Sequence, residues 1–328
     1  MTLQTTLAGS YPKLPIDPGS ANVRVVRNRL DQGKASQEDL RRAVEETTRR
    51  IVAAQDAAGI DLPVDGQVGW DDEQTPIARG LDGFEIAGLI RYLDTNTYYR
   101  EPEITGAVAW RSPITVDAYR FAQALTKRPV KVVLPGPYSL YRFSKDRHYA
   151  DPAAALRAIG EALAAECRAL EKAGARWLHF EEPWLGRART EEAPLVRAAL
   201  EPLLHGRTAG TVVHVPFRSP RSVFSVVREL PWTALGLDLV EAPDGWGLLE
   251  AVPEGRTVAL GLLDARNTRL EAATEIAAAA RRARSQRPDL SFHLCPSASL
   301  EYLPADRAAE KVARLVEAAR LAAGNGGT

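Results

Sequence analysis

The stretch HVPFRSP, residues 214–220, begins with a histidine, His214, that is a plausible metal ligand. His214 ends a strand-like run, and an imidazole in that position can serve as a metal ligand. Pro216, two residues further on, has no side-chain donor atom and cannot be a second ligand. Glu241 follows another apolar run, where a buried carboxylate needs a partner. The sequence leaves three partners open for Glu241, namely an arginine, a ligand amine or a metal ion.

Polar, glycine or proline residues end each of eight strand-like runs. In chain order they are Gly9-Ser10, Asp65-Gly66-Gln67, Pro135-Gly136-Pro137-Tyr138, Glu181-Glu182-Pro183, His214, Glu241, Asp264 with Arg266, and Cys295-Pro296-Ser297. In a barrel of parallel strands these ends share one face, which carries the active site. The pattern therefore predicts an enzyme, although turn glycines, a core histidine or a loop carboxylate would account for single members. Glu181 and Glu182 point to opposite sides of a strand, so at most one of them faces the site.

The strand-like runs alternate with segments of helical period. The runs cover residues 3–9, 60–66, 130–136, 175–182, 209–215, 234–241, 256–264 and 291–296. The helical segments cover residues 22–58, 151–174, 190–204, 219–230, 268–284 and 304–323. Each run is apolar along most of its length, as expected of parallel strands buried on both faces. Eight strands in alternation with helices predict an α/β fold, the (β/α)8 or TIM barrel.

Residues 67–112 do not fit this alternation. The run 103–110 resembles a strand but has no helix before it, so we expect a long excursion after strand 2, with room for a hairpin. A doubly wound open sheet is the alternative fold, and the lack of a GxGxxG motif after the first strand counts against it. We find neither a repeat nor a linker, and the sequence predicts a single domain over residues 1–328.

Composition and charge exclude several classes of protein. The 42 Lys and Arg residues balance the 42 Asp and Glu residues, so nothing favours a nucleic-acid partner. Two cysteines in 328 residues exclude a disulfide scaffold. No apolar run approaches the roughly 20 residues of a membrane helix, and MTLQTTLAGSYP lacks the features of a secretory signal. We expect a cytoplasmic enzyme without a membrane partner.

Six ordered motifs extend over nearly the whole chain. They are LAGSYP, DGQ, LPGPYS, LEKAGARWLHFEEPWL, GLDLVEAPD and LGLLDAR. Together they resemble the cobalamin-independent methionine synthase family in its single-barrel core form, which corresponds to the catalytic C-terminal domain of the long enzyme. The fourth motif is the most specific, because it resembles the family's L-E-x-A-G followed by I-Q-I-D-E-P-A-L.

This resemblance implies a TIM barrel that transfers a methyl group to a thiol, typically that of homocysteine to give methionine. It also implies a zinc ion that binds the substrate thiol and favours the thiolate, which is the nucleophile. Gly9 and Ser10 would lie near the carboxylate and amine of the amino acid. Gln67 and Glu181 stand where a glutamate and an aspartate of the family contact the amine.

The resemblance also suggests catalytic residues and a methyl donor. Arg266 matches the family's proton-relay histidine, and Asp264 in the same segment is the second candidate catalytic residue. Phe143 matches the tryptophan that stacks on folate in the long form. The N-terminal half that helps to hold folate has no counterpart. A methylcorrinoid carried by a partner protein is therefore the expected donor.

The metal ligands depart most from the family pattern. The family's His-x-Cys corresponds to His214 and Pro216, and its last cysteine corresponds to Ala298 in CPSASL. Glu241 matches the glutamate ligand, and Cys295 lies three residues before the expected cysteine. Because open zinc sites use three protein ligands, the predicted set is His214, Glu241 and Cys295, with the substrate thiolate as fourth ligand. Without the two usual thiolates the site would select zinc less strongly, and iron or cobalt would suit it as well.

Pro216 and Ala298 also keep a second interpretation open. The protein would then be a divergent, metal-free relative that binds an amino acid or a thiol. Alternatively, it would catalyse a different reaction in the same pocket through Glu181, Glu241 and Asp264.

Overall fold

The computed structural model describes residues 3–15, 20 and 22–324 of the chain. Residues 1–2, 16–19, 21 and 325–328 belong to the predicted domain but lie outside the described part. Within that part the chain has a mixed α/β fold with one large parallel sheet, which confirms the predicted fold class at this level.

Among the described residues, ten strands form two sheets. Their bounds are β1 Leu3–Thr5, β2 Leu81–Arg91, β3 Tyr98–Trp110, β4 Lys131–Pro135, β5 Lys145–Asp146, β6 Trp177–Glu181, β7 Gly210–Val215, β8 Ala234–Asp238, β9 Thr257–Leu263 and β10 Ser291–Pro296. The main sheet is parallel, in the order β1-β10-β9-β8-β7-β6-β4, and β2, β3 and β5 form the second sheet. Every strand of the main sheet falls within a run that the sequence predicts.

The second predicted strand, residues 60–66, connects the two edges of the main sheet through isolated bridges. Leu62 bridges Thr6 beside β1, and Val64 bridges Lys131 on β4. The backbone N–H of Lys131 also donates to the carbonyl of Pro63 at 2.7 Å. The sheet is therefore curled, with its edge strands on either side of this segment.

The helices of the described part follow the strands. Their bounds are α1 Val23–Asp31, α2 Gln37–Ala58, α3 Thr75–Gly80, α4 Val116–Ala124, α5 Pro137–Arg142, α6 Pro152–Lys172, α7 Ala193–Leu204, α8 Phe224–Glu229, α9 Ala273–Gln286 and α10 Ala305–Ala323. The helical segment predicted over 22–58 is two helices, because Ser36 caps α2 through reciprocal hydrogen bonds with Asp39. No helix in the described ranges is long and apolar enough to cross a membrane.

The main sheet curls so strongly that distant strands touch across its concave side. The ring of Trp177 on β6 lies 5.6 Å from the ring of His293 on β10, although β7, β8 and β9 separate these strands. Lys131 on β4 donates from Nζ to the carbonyl of Leu7, just after β1, at 2.6 Å. Lys131, His179 and His293 are all buried. Polar side chains therefore occupy the inside of the sheet, a departure from the expectation of strands that are apolar on both faces.

A buried carboxylate on α6 anchors the end of the second sheet. Strands β2 and β3 are antiparallel, and β5 pairs with β3 in parallel. Glu166 on α6 accepts from the Trp110 indole N–H at 2.8 Å and from the backbone N–H groups of Ile114 and Thr115 at 2.9 and 2.7 Å. The Thr115 hydroxyl donates to it as well, at 2.7 Å. These neutral donors replace the water that a buried carboxylate loses.

Replacing Glu166 tests this anchor. The Glu166→Gln variant puts an NH2 group where an oxygen now faces N–H donors, so we expect the free energy of unfolding to fall by about 3 kcal/mol. Chemical denaturation measures the change. The control Glu161→Gln removes an exposed carboxylate from the same helix and should leave stability unchanged. Equal stability of the two variants would contradict the anchoring role.

Candidate active site

The carboxylate of Glu181 at the end of β6 lies between two histidines. His179, two residues earlier on the same face of the strand, contacts Glu181 Oε1 through Nε2 at 2.7 Å. His214 on β7 is in register with Glu181 and contacts Oε2 through Nδ1 at 3.0 Å. Gly236 on β8 makes room for this ring, since a Cβ there would lie 2.6 Å from His214 Cδ2. The three side chains are buried inside the curled sheet.

Burial and hydrogen bonding determine which members of the triad, His179, Glu181 and His214, are charged. Burial opposes ionisation of Glu181, but the two histidines beside it outweigh burial and hold the pKa of its carboxyl below the usual range. Burial, together with the charge of Lys131, lowers the pKa of His179 to about 3. At neutral pH the site therefore contains an ionised carboxylate next to a neutral imidazole of His179.

The triad has the donor set of an open metal site. One potential ligand atom from each of His179, Glu181 and His214 lies within 4.8 Å of the other two. No other group of three His, Cys, Asp or Glu residues in the described part is clustered in this way. His179 Nδ1 and His214 Nε2 are buried and have no hydrogen-bond partner among the described residues. Two imidazole nitrogens and one carboxylate oxygen are a set that binds catalytic zinc in other proteins. The residues present thus fit the implied metal. In this structure the two imidazoles contact the Glu181 carboxylate directly, where a metal ion would bind to all three side chains.

Glu241 and Cys295 do not join His214 in this group. Glu241 lies beyond the end of β8, with its side chain 37% exposed and 3.6 Å from Arg266 Nη1. Cys295 on β10 is buried, and burial raises the pKa of its thiol to about 12 despite the nearby Lys131. The structure therefore keeps only His214 of the predicted metal set among the clustered ligands.

Asp238 explains why Glu241 turns outward. Its Oδ1 accepts from the backbone N–H groups of Val240 and Glu241, each at 2.9 Å, and ends β8. Its Oδ2 accepts from the backbone N–H of Phe217 at 2.8 Å. One buried carboxylate thus shapes the loops that follow β7 and β8.

The predicted substrate residues meet at the ends of β1 and of the second predicted strand. The Ser10 hydroxyl donates to Gln67 Oε1 at 2.5 Å, and Gln67 Nε2 donates to the Val133 carbonyl at 3.1 Å. Gly9 has φ +59°, and a Cβ there would lie 2.8 Å from the Cβ of Ser299. A glycine is therefore required at position 9 for the close approach of these two segments.

The predicted catalytic pair lies in the loop after β9. Asp264 Oδ1 accepts from the backbone N–H of Arg266 at 2.8 Å and from that of Asn267 at 3.1 Å, so it shapes its own loop. The guanidinium of Arg266 lies over the ring of Phe217, 5.4 Å from its centroid. Its Nη1 is also 4.0 Å from Asp94. Both residues therefore lie at the rim, and their catalytic roles stay predictions.

Glu182 points away from the triad and supports it from the other side of β6. Its carboxylate accepts from the backbone N–H groups of Tyr138 and Ser139, at 3.0 and 2.8 Å, at the start of α5. A Cβ at Gly136 would overlap this carboxylate. Burial raises the pKa of Glu182 to about 7.

Glu73 is a partly buried carboxylate near the triad. Tyr302 Oη lies 3.5 Å from its Oε1, and no Lys, Arg or His nitrogen of the described part lies within 4 Å of it. Burial raises the pKa of Glu73 to about 8, and the charge of Glu181 contributes in the same direction. Glu73 is therefore an acidic group without a close cationic partner.

The family assignment follows from comparison with known proteins. The family model described as the catalytic domain of the cobalamin-independent synthases matches residues 3–321. The chain belongs to this family. The resemblance inferred from the ordered motifs is confirmed, and so is the prediction of a methionine-synthase-like methyltransferase.

Relatives of similar length carry the name methionine synthase. One from Saccharolobus solfataricus is 25% identical over 97% of this chain and 94% of its own length. One from Pyrococcus furiosus is 24% identical over 97% of this chain and 92% of its own length. A solved B12-independent methionine synthase from a Shewanella species, in complex with selenomethionine, has a TM-score of 0.84 at 22% identity and covers 98% of this chain and 97% of that one. At this identity the structural likeness speaks for the fold.

The sequence alone did not indicate His179 or Glu73 as candidate site residues. His179 stands within the most specific motif, where the family pattern has a glutamine, and its spacing of two from Glu181 places both on one face of β6. Spacing of this kind could have identified it. Glu73 lies in the irregular segment before α3, for which the sequence carries no periodic signal.

A methyl group at position 236 should displace His214. The Gly236→Ala variant places a Cβ against the ring, so we expect the histidine NMR signals to move and stability to fall by about 2 kcal/mol. Gly247→Ala is the control, because a Cβ there would meet only Arg221 Nη2 at 3.9 Å. Unchanged signals in the Gly236 variant would show that His214 is not held as described.

Glu73 should make stability depend on pH. The native pKa of about 8 exceeds the ordinary value of 4.5, so this group destabilises the fold progressively as pH rises from about 4.5 to 8. The groups that act on it are Tyr92, Tyr302, Glu181, Glu301 and Lys13. Glu73→Gln should therefore gain about 1–2 kcal/mol relative to the natural protein between pH 5 and pH 8. Urea titrations at both pH values measure this gain, and Glu85→Gln, an exposed change of equal charge, should not reproduce it.

Proposed function

We propose that the protein transfers a methyl group to the thiol of homocysteine, or of a related thiol, at a metal ion held by His179, Glu181 and His214. The observation that carries the proposal is the Glu181 carboxylate between two buried imidazoles, 2.7 and 3.0 Å away. Membership of the methionine synthase family supplies the reaction class. This ligand set replaces the set predicted from sequence, because Glu241 pairs with Arg266 at the surface.

Each residue of the triad has a defined task in this proposal. A bound divalent metal would lower the pKa of the substrate thiol, so that the nucleophilic thiolate forms at neutral pH. His179 is kept neutral by its low pKa and so has a free lone pair for the metal. Glu181 supplies negative charge. A bound metal cation would compensate this buried charge in place of the present hydrogen bonds from the histidines. Three protein ligands leave one position open for the thiol.

The amino-acid part of the substrate would be held by Gly9, Ser10 and Gln67. This proposal is supported by the 2.5 Å hydrogen bond between Ser10 and Gln67 at the strand ends. Glu181, as a metal ligand, would give up the contact with the amine that the resemblance implies. Glu73 would take over this contact, since it has no cationic partner within 4 Å in the described part.

For the methyl donor we propose a methylcorrinoid, carried by a partner protein, rather than a folate. The surroundings of Phe143 count against a folate stacked at this position. Its ring is 3% exposed, is stacked on Tyr92 at 4.9 Å and meets Tyr99 and Trp184 edge-on at 5.1 and 5.9 Å. A ring packed on these sides cannot offer a free face to a pterin.

We further propose that residues 1–328 form a single domain that closes as an eight-stranded (β/α)8 barrel, with residues 67–112 as an excursion after strand 2. The bridges of Leu62 and Val64 to the two edges of the main sheet support closure. A cytoplasmic location stays a prediction. The lack of a nucleic-acid partner also stays a prediction, which the zero net charge supports.

Metal analysis tests the ligand set. We expect the purified protein to retain about one divalent metal ion per chain after dialysis. His179→Asn and His214→Asn should each lower metal affinity at least tenfold, because each removes a ligand from a three-ligand site. Elemental analysis and competition with a chelator measure these changes.

Two buried residues of the same interior serve as controls. His293→Asn changes a histidine outside the triad, and Cys295→Ala removes the thiol that the sequence placed in the metal set. Both variants should retain the metal. A natural protein without metal, or metal that survives His214→Asn, would contradict the proposed site. Homocysteine binding by a metal-free protein would support the metal-free alternative.

The activity is tested by the formation of methionine from homocysteine. Methylcobalamin and methyltetrahydrofolate are offered separately, and mass spectrometry detects the product. We expect product with methylcobalamin, and little product from the His214→Asn variant with either donor. Turnover with the folate alone would contradict the corrinoid proposal, and no turnover with either donor would contradict the proposed reaction.

A further inference from the structure

Three arginines gather at the rim above the triad. They are Arg187 in the loop after β6, Arg218 in the loop after β7 and Arg266 in the loop after β9. Burial lowers the pKa of Arg187, and the charges of Arg218 and Arg266 lower it further. Arg187 is therefore close enough to Arg218 and to Arg266 for their positive charges to act on it.

The carboxylates around these arginines are too few and too distant to neutralise the three guanidinium groups. Asp94 lies 3.7 Å from Arg187 and 4.0 Å from Arg266, and its side chain is 57% exposed. Glu241 lies 3.6 Å from Arg266. Arg218 has no ion-pair partner within the described ranges. Three positive charges thus face two carboxylates, none of them at hydrogen-bonding distance.

Buried donors without acceptors lie on the same loops. Arg187 Nη1, Trp184 Nε1 and Ser219 Oγ are inaccessible to solvent and have no hydrogen-bond partner among the described residues. A buried donor left unsatisfied costs about 1–3 kcal/mol. Three such donors, one on Arg187 itself and two on the same loops as the arginines, indicate a place where an anion with several acceptor oxygens would bind.

A strained turn places one part of this cluster. The backbone N–H of Arg218 donates to the Pro216 carbonyl at 2.9 Å, and Phe217 between them has φ +71°. This three-residue turn is rare for a bulky residue and costs about 1–3 kcal/mol. Asp238 holds it through the Phe217 N–H. Strain of this kind is retained at functional sites.

The neighbouring loop is fitted to this turn. A Cβ at Gly186 would lie 2.5 Å from the Cβ of Arg218, so glycine allows the two loops to meet. The ring of Phe217 in turn supports the guanidinium of Arg266 at 5.4 Å. The loops after β6, β7 and β9 therefore pack so that their arginines lie together.

We propose that Arg187, Arg218 and Arg266, with Trp184 and Ser219, bind an anionic group, a carboxylate or a phosphate, of a ligand that enters the barrel. Guanidinium groups match the paired oxygens of both anions. Because Gly9, Ser10 and Gln67 are assigned to the amino acid, we place the anionic group on the methyl donor. That placement rests on the proposed function, whereas anion binding itself does not.

Direct binding measurements test the site without turnover. Calorimetry at low ionic strength with inorganic phosphate should give saturable binding to the natural protein. Arg187→Met and Arg218→Met should weaken it at least tenfold, and Arg187→Lys should weaken it less. Arg221→Met is the matched control, because Arg221 is an exposed arginine paired with Asp244 in the same region. Thermal melting shows whether each variant is folded.

Two further titrations identify the source of the anion. If it belongs to the donor, Arg187→Met raises the KM for the donor and leaves the affinity for homocysteine unchanged. If it is the amino acid's carboxylate, Arg187→Met weakens binding of homocysteine but not of its decarboxylated analogue, and the placement on the donor is wrong. The natural protein could bind phosphate and lose that binding in Arg187→Met, yet show no methyl transfer. That result would support the anion site and contradict the proposed reaction. Folded Arg187 and Arg218 variants that behave as Arg221→Met in all titrations overturn the anion site.

Discussion

The buried negative charge of Glu181 is the constraint on which the site depends. A carboxylate inside a curled sheet is costly unless donors surround it. His179 and His214 supply these donors from the same strand and from the next one. Gly236 leaves the space that the His214 ring needs, and Glu182 anchors the opposite face of β6 to α5. Strands β6, β7 and β8 are thus arranged around the charge of Glu181.

Two other ionisable side chains are buried on the inner side of the curled sheet. Lys131 lies fully buried with its Nζ on the Leu7 carbonyl, and burial lowers its pKa to about 8. His293 lies against Trp177, and burial lowers its pKa to about 4. At neutral pH His293 is therefore neutral, whereas Lys131 keeps most of its positive charge. The ionised carboxylate of Glu181 is the group of the triad that would attract a metal cation.

The polar groups at the carboxyl ends of the strands lie at different depths. The triad lies inside, Glu73 and Tyr302 lie beside it, and the arginines lie at the rim. The negative charge of Glu181 lies deep in the site, and the positive charges of the arginines lie at its entrance. This order suits a metal and a thiol at the bottom and an anionic ligand above them. Asp238 links the two levels, because it ends β8 and holds the strained turn at Phe217.

The sequence by itself determined the parallel strands, the face on which polar residues gather and the family, because hydrophobic periodicity and ordered motifs are local properties of the chain. It also marked Glu181 and His214. Only the tertiary structure decided that His179 completes their group and that Glu241 leaves it. The pairing register of β6 and β7 brings His214 beside Glu181, and that register is not encoded in any single segment. The hydrogen bonds of Asp238 turn the chain outward before Glu241, so a residue that follows its strand in sequence lies outside the site in space.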